Sequence, residues 1–174
     1  CFDDYARKEA YDPETFEDTE IWDDIEGPVG RYKELYKEVC KFSNVLKERG
    51  IKKGDCVTIY LPMIPEATIA MPACARAGAI HSVVFGGFSP DSLANRINDC
   101  DSNLIITADF GIRGGKKIPL KENADKAAEK ASCLKKMIVV KKTDDKISWN
   151  EGKDFWYHEL MKQASDMSPP ENMN

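Results

Sequence analysis

Four short apolar runs, separated by segments with helical spacing, constrain this chain more than any other feature. They are CVTIYLP from Cys56, HSVVF from His81, NLIITAD from Asn103 and KKMIVVKK from Lys135. Short apolar runs of this kind, rich in β-branched residues, read as strands. The intervening segments read as helices. Pro65 opens one at the favoured first-turn position, and Gly78 closes it after Ala77. SPDSLANRINDC forms a second, with Ser89 as N-cap, and ENADKAAEKAS a third. Upstream, Leu35, Val39, Phe42 and Leu46 recur at helical spacing between Tyr32 and Arg49, with Gly50 placed as a C-cap. Downstream, WYHELMKQAS predicts a last helix with Trp156, Tyr157 and Leu160 in the core, and SPPENMN a frayed end.

Strands that alternate with crossover helices give an α/β fold: a doubly wound, mostly parallel sheet with flanking helices. Ligands of such sheets sit at the carboxyl ends of the strands. Residues 31–174 are assigned to this α/β subdomain. Residues 1–30, with breakers at Pro13, Gly27, Pro28 and Gly30, read as an irregular acidic segment with one short strand around Ile21 and Trp22. Pro72 interrupts the helix that Pro65 begins, and a bend is expected there because an interior proline removes a hydrogen bond.

Charge is unevenly placed. Residues 1–27 hold eleven acidic and two basic side chains, whereas residues 111–142 hold ten basic and three acidic ones. A local basic patch on a chain of net charge −5 suits a small anion better than a nucleic-acid track. No run approaches the roughly 20 apolar residues that cross a bilayer, so no membrane partner is expected. The start lacks both a secretory pattern and an initiator Met, which points to a piece of a longer chain. Cys1, Cys40, Cys56, Cys74, Cys100 and Cys133 contain no CxxC pair. They read as reduced thiols of a cytoplasmic protein, and no metal site is expected.

Two glycine pairs fall where strands end. In FGGFS, Gly86 and Gly87 bare the backbone between Phe85 and Phe88, which could stack on a ring or wall a channel. In GIRGGKKIPLK, Arg113 and Lys116 flank a second pair on a curved loop, where both heads could reach one phosphate, and Ile118 adds apolar surface. Either motif alone also fits an ordinary turn. Together, at neighbouring strand ends, they favour a phosphorylated ligand. His81 has no nearby nucleophile and reads as structural. Loops of the GxxxxGK[ST], GxGxxG and GxSxG types are absent, so no catalytic residue is assigned.

The stretch from GIKKGDCVTIYLPMIPEA through FGGFSPDSLANRINDCDSNLIITADFGIRGGKKIPLK resembles the AMP-forming acetate–CoA ligases, the acetyl-CoA synthetases of the adenylate-forming superfamily. The resemblance is strong from Arg31 to Lys121 and looser to the end. It implies part of the large N-terminal domain of an enzyme that converts acetate and ATP to acetyl-AMP and pyrophosphate, then passes the acetyl group to CoA. It implies CoA and ATP as substrates and Mg2+ bound outside this chain. It also implies that Phe85, Gly86 and Gly87 line the CoA path, and that Arg113, Lys116 and Ile118 hold the CoA 3′-phosphate and adenine. Lys116 stands where the family commonly has Arg, and Pro72 where it usually has Leu. The family's ATP phosphate-binding loop is expected beyond Asn174, so the chain alone should be inactive and should need the rest of its own polypeptide. Two other readings stay open: a free-standing regulatory α/β domain that binds CoA or another nucleotide, and a ligase for propionate or another short acid.

Overall fold

The computed structural model describes residues 28–172. The strand expected around Ile21 and Trp22 therefore lies outside the described residues. Of the irregular segment expected over 1–30, residues 28–30 are described, and they form the first turn of helix α1 (Pro28–Glu48). The chain divides into two units after Tyr36, and the whole sheet belongs to the second.

After α1 the chain runs β1 (Cys56–Tyr60), α2 (Pro65–Arg76), β2 (Ile80–Val83), α3 (Pro90–Asp99) and β3 (Leu104–Ala108). A small hairpin comes next, β4 (Gly111–Arg113) and β5 (Lys116–Ile118). Then come α4 (Leu120–Lys130), β6 (Lys136–Val140), β7 (Asp154–Trp156) and α5 (Tyr157–Gln163). Five strands make one sheet in the order β2-β1-β3-β6-β7, every pair parallel. Every residue of β1 and β3 is buried, which requires helices on both faces. On one side α3 lies against α4. Elsewhere α1 meets α5 through the rings of Phe42 and Tyr157, 4.9 Å apart.

Local chemistry explains the boundaries. The Ser89 hydroxyl accepts from the Ser92 amide and caps α3, as the sequence predicts. Gly50 and Gly78, at φ +91° and +74°, end α1 and α2 in the left-handed region that favours glycine. In each case the amide of the next residue, Ile51 or Ala79, bonds back to the carbonyl five positions earlier, Leu46 or Cys74. Helix α2 runs as one element through Pro72. Thr68, whose carbonyl Pro72 cannot serve, is exposed like Pro72 itself, so water can take the missing donor's place.

Three elements depart from the sequence reading. The GIRGGKK segment is a hairpin rather than a curved loop. Strand β7 occupies DFW, so the last helix starts one residue later than expected; Tyr157 is buried, while Trp156 and Leu160 are half-buried. The expected fraying after Ser168 is not seen over its described part. Carbonyls of this extended, proline-containing tail accept from α1 and α2: Asn44 donates to Ser165 and Met167, Lys47 to Pro169, and Arg76 to Ser168. Ser168 is buried against Ser43.

Burial sets an alkaline limit on this core. It pushes the Cys56 and Cys74 thiols up to about 12, and it raises the Tyr60 and Tyr157 phenols. The unfolded chain releases these protons near their ordinary values of 9.0 and 10.0, whereas the folded chain holds them. Their contribution to stability is complete below pH 9 and lost as pH climbs toward 12. Thermal unfolding followed between pH 7 and 11.5 should show a Tm that falls only above about pH 9. A Tm that held level throughout would contradict the assignment.

Candidate functional site

Setting the hairpin aside, the strand order is that of a doubly wound sheet whose sequence reverses direction between β1 and β3. In such sheets the crevice outside the carboxyl ends at the reversal is where ligands bind. Both glycine motifs lie at this end. The first forms a turn closed by the Phe88 amide on the Phe85 carbonyl at 3.0 Å, with Gly86 buried and Gly87 exposed. Phe85 is 52% exposed and Phe88 38%. Arg96 sits over the Phe88 ring, 5.8 Å from its centroid.

The second motif turns at Gly114 and Gly115, at φ +54° and +74°. Two consecutive residues in that region make the tight turn whose twist matches a two-residue hairpin, and glycine adopts it without steric cost. Register then pairs Arg113 with Lys116, Ile112 with Lys117 and Gly111 with Ile118. The two basic residues singled out in the sequence are thus cross-strand neighbours. Ile118 is half-buried at the hairpin base, and Lys116 is exposed. Lys117 is engaged: its ammonium pairs with Asp145 and lies 4.0 Å from the centre of the Phe110 ring.

One buried side chain brings the two motifs together. A Cβ on Gly86 would stand 3.4 Å from Leu120 Cδ2, and one on Gly111 only 3.1 Å from Leu120 Cδ1. Leu120, the first residue of α4, therefore fills the space that both glycines leave. Pro62, just past β1, closes on Gly111 from the other side, 3.6 Å from the same position.

Several residues that organise this end are not among those singled out in the sequence. The Asp109 carboxylate, buried at the end of β3, accepts from the amides of Phe110, Lys142 and Thr143 and from the Thr143 hydroxyl at 2.7 to 3.1 Å. It ties the exit of β6 to the exit of β3. Lys121 is fully buried, with its Nζ 2.6 Å from Asp125 and 2.9 Å from Asp154. Its neighbours on α4 are Leu120 and Asn123. The signal that could have found Lys121 is its place on the apolar face of that helix, next to Leu120 and one turn before Ala124 and Asp125.

A cavity of about 270 Å³ lies at the opposite, amino-terminal edge of the sheet, bordered by Cys56, Cys100, Asp101, Cys133 and Lys135. It is remote from both glycine motifs. Burial raises the Cys56 and Cys133 thiols, so they are poor nucleophiles there. Among the described residues no group of three or more His, Cys, Asp or Glu side chains could hold a metal ion. His81 is exposed on the edge strand β2.

A parallel sheet with glycine turns and a basic hairpin at its carboxyl edge defines a doubly wound α/β domain. Comparison with known proteins narrows the class. The family described as AMP-binding enzyme matches residues 26–173, and the chain belongs to that family. Similar curated proteins are acetyl-coenzyme A synthetases. That of Bradyrhizobium diazoefficiens is 61% identical over 143 residues, and that of Pseudomonas putida 57% over 142. That of Escherichia coli is 54% identical over 145 residues. Each match covers 82% of this chain and 22% of the relative, so the chain spans about a fifth of their length. Among solved structures, acetoacetyl-CoA synthetase from Streptomyces lividans superposes with a TM-score of 0.72 at 22% identity, over 80% of this chain and 21% of that one. That likeness bears on the fold, which is the one expected from the alternating runs.

Proposed function

We propose that this chain supplies the CoA-nucleotide wall of an acetate–CoA ligase. The full-length enzyme would join acetate to ATP, releasing pyrophosphate and forming acetyl-AMP, and then transfer the acetyl group to the CoA thiol. The observation that carries this reading is the meeting of the FGGF turn and the GIRGGKK hairpin over Leu120, at the sheet edge where such folds bind ligands. Identities of 54 to 61% to acetyl-coenzyme A synthetases support the choice of reaction.

The residue roles follow from chemistry. Arg113 and Lys116, cross-strand neighbours on a tight hairpin, present two cations to the 3′-phosphate of CoA, the Arg through a planar fork and the Lys as a point charge. Ile118 gives the adenine an apolar floor. Phe85 and the glycines Gly86 and Gly87 leave a slender path for the pantetheine arm, with one ring and bare backbone as its wall. These groups bind and orient. None of them is placed to move a proton or to attack a carbonyl, so the adenylation chemistry falls to the remainder of the enzyme, along with any Mg2+ and the choice between acetate and a longer acid.

Two half-reactions test the reading. The full-length enzyme should catalyse both acetate-dependent ATP–pyrophosphate exchange and acetyl-CoA formation, whereas the 174-residue chain alone should catalyse neither. Exchange by the isolated chain would contradict the reading, and tight saturable CoA binding to it would favour a free-standing binding domain instead.

A further inference from the structure

We propose that Tyr60 and Asn123 form a positioning pair that holds the FGGF turn in register with the basic hairpin. The inference rests on reading that turn as the CoA wall. Tyr60 ends β1 and is fully buried. Its hydroxyl reaches across 28 residues of chain to donate to the Phe88 carbonyl at 3.1 Å, with the Gly86 carbonyl at 3.5 Å. The Asn123 side-chain amide donates to the same hydroxyl oxygen at 3.4 Å from the first turn of α4.

A phenol has a single proton and accepts through its oxygen. With Asn123 donating to that oxygen, the proton is left to point at the turn. Burial raises the Tyr60 phenol, which keeps it a neutral donor across the physiological range. The hydroxyl that meets the turn therefore has its orientation set by α4. That helix begins at Leu120, the residue that packs against Gly86 and Gly111, and it comes directly after the strand that carries Lys116 and Ile118. Movement of the hairpin base and movement of the FGGF turn are thus joined through a path of two hydrogen bonds and one leucine. Tyr60 itself touches no ligand. It acts through the turn.

Swapping the direction of one hydrogen bond tests the idea in the full-length enzyme. Tyr60→Phe keeps the ring and removes the donor. It should raise the CoA KM by about 3- to 10-fold, the loss expected for one buried hydrogen bond, while ATP–pyrophosphate exchange changes less than about twofold. Asn123→Asp replaces a donor by an acceptor, so the Tyr60 proton turns to the new carboxylate and releases the Phe88 carbonyl. This variant should raise the CoA KM by a similar factor, and combining the two substitutions should add little. Asn123 is partly exposed, so its variant remains informative if Tyr60→Phe folds poorly.

A fall in exchange and in acetyl transfer by the same factor would mark Tyr60 as merely structural and overturn the proposal. So would independent, additive effects of the two substitutions. Arg113→Ala separates this inference from the reading beneath it. If that variant raises the CoA KM and Tyr60→Phe does not, only the positioning role fails. If Arg113→Ala leaves the CoA KM unchanged, the assignment of the site to CoA fails first.

Discussion

Asp154→Ala is expected to destabilise the 174-residue chain by about 3–5 kcal/mol, the cost of stripping a partner from a buried charge. Lys121 has no exposed surface, and its two carboxylates are unequal. Asp125 is 21% exposed at its side chain and can exchange its share of the pairing for water, whereas Asp154 is fully enclosed. Without Asp154 the ammonium stays buried with one half-wet partner. The Asn150 amide also loses its acceptor at 2.8 Å. Replacing both ends of the pair, Lys121→Met with Asp154→Leu, should cost much less, because no charge is then left alone. Thermal unfolding reads both variants, and the single substitution should lower Tm by roughly 10 °C or more. A single-variant loss under about 1 kcal/mol would mean that water reaches Lys121.

Arg113→Ala in the full-length enzyme is expected to raise the CoA KM by about 10- to 100-fold, the loss of a charge-assisted contact to phosphate. The KM values for ATP and acetate should stay near those of the parent enzyme. The neighbouring lysines should behave differently from each other. Lys116 is exposed beside Arg113 in the register, so Lys116→Arg should tighten CoA by adding a second planar fork. Lys117 is engaged by Asp145 and by the Phe110 ring, so Lys117→Ala should leave the CoA KM within about twofold and act on the hairpin's stability instead. Equal damage to the ATP and CoA constants in Arg113→Ala would place the hairpin at a shared structural element rather than at CoA.

The fold was legible where the sequence signal is local. Ser89, Gly50 and Gly78 mark helix ends through bonds made within a few residues, and the β-branched runs at Cys56 and Leu104 mark strands through their own composition. The sheet order needed only short crossovers between those runs. What stayed hidden depends on distant partners. Strand β7 is three residues long without a β-branched side chain, and it exists because β6 offers it a ladder. The hairpin strand β5 carries two lysines, poor strand formers, and is set by the glycine turn rather than by propensity. The tail after Ser165 is ordered by donors from α1 and α2, more than 90 residues away in sequence.

The candidate site divides along the same line. Its glycines and cations stand out as residue types, and the sequence alone places them at strand ends. Leu120 does not stand out, because a leucine on the apolar face of an amphipathic helix is ordinary; only the 3.1 Å and 3.4 Å approaches show that it joins the two motifs. Tyr60 looks like one more strand aromatic until its hydroxyl is traced to Phe88 and Asn123. Asp109 reads as a polar residue closing a strand, and its four donors lie in two segments separated by more than thirty residues.

Recognition of the CoA 3′-phosphate by the hairpin cations is the point on which the functional assignment turns. Comparing CoA with 3′-dephospho-CoA as acetyl acceptors tests it most directly, using the full-length enzyme and its Arg113→Ala/Lys116→Ala variant. The parent enzyme should favour CoA by about 10- to 100-fold in kcat/KM, and the double variant should use the two acceptors almost equally. A double variant that kept the parent's preference for CoA would show that the 3′-phosphate is held elsewhere.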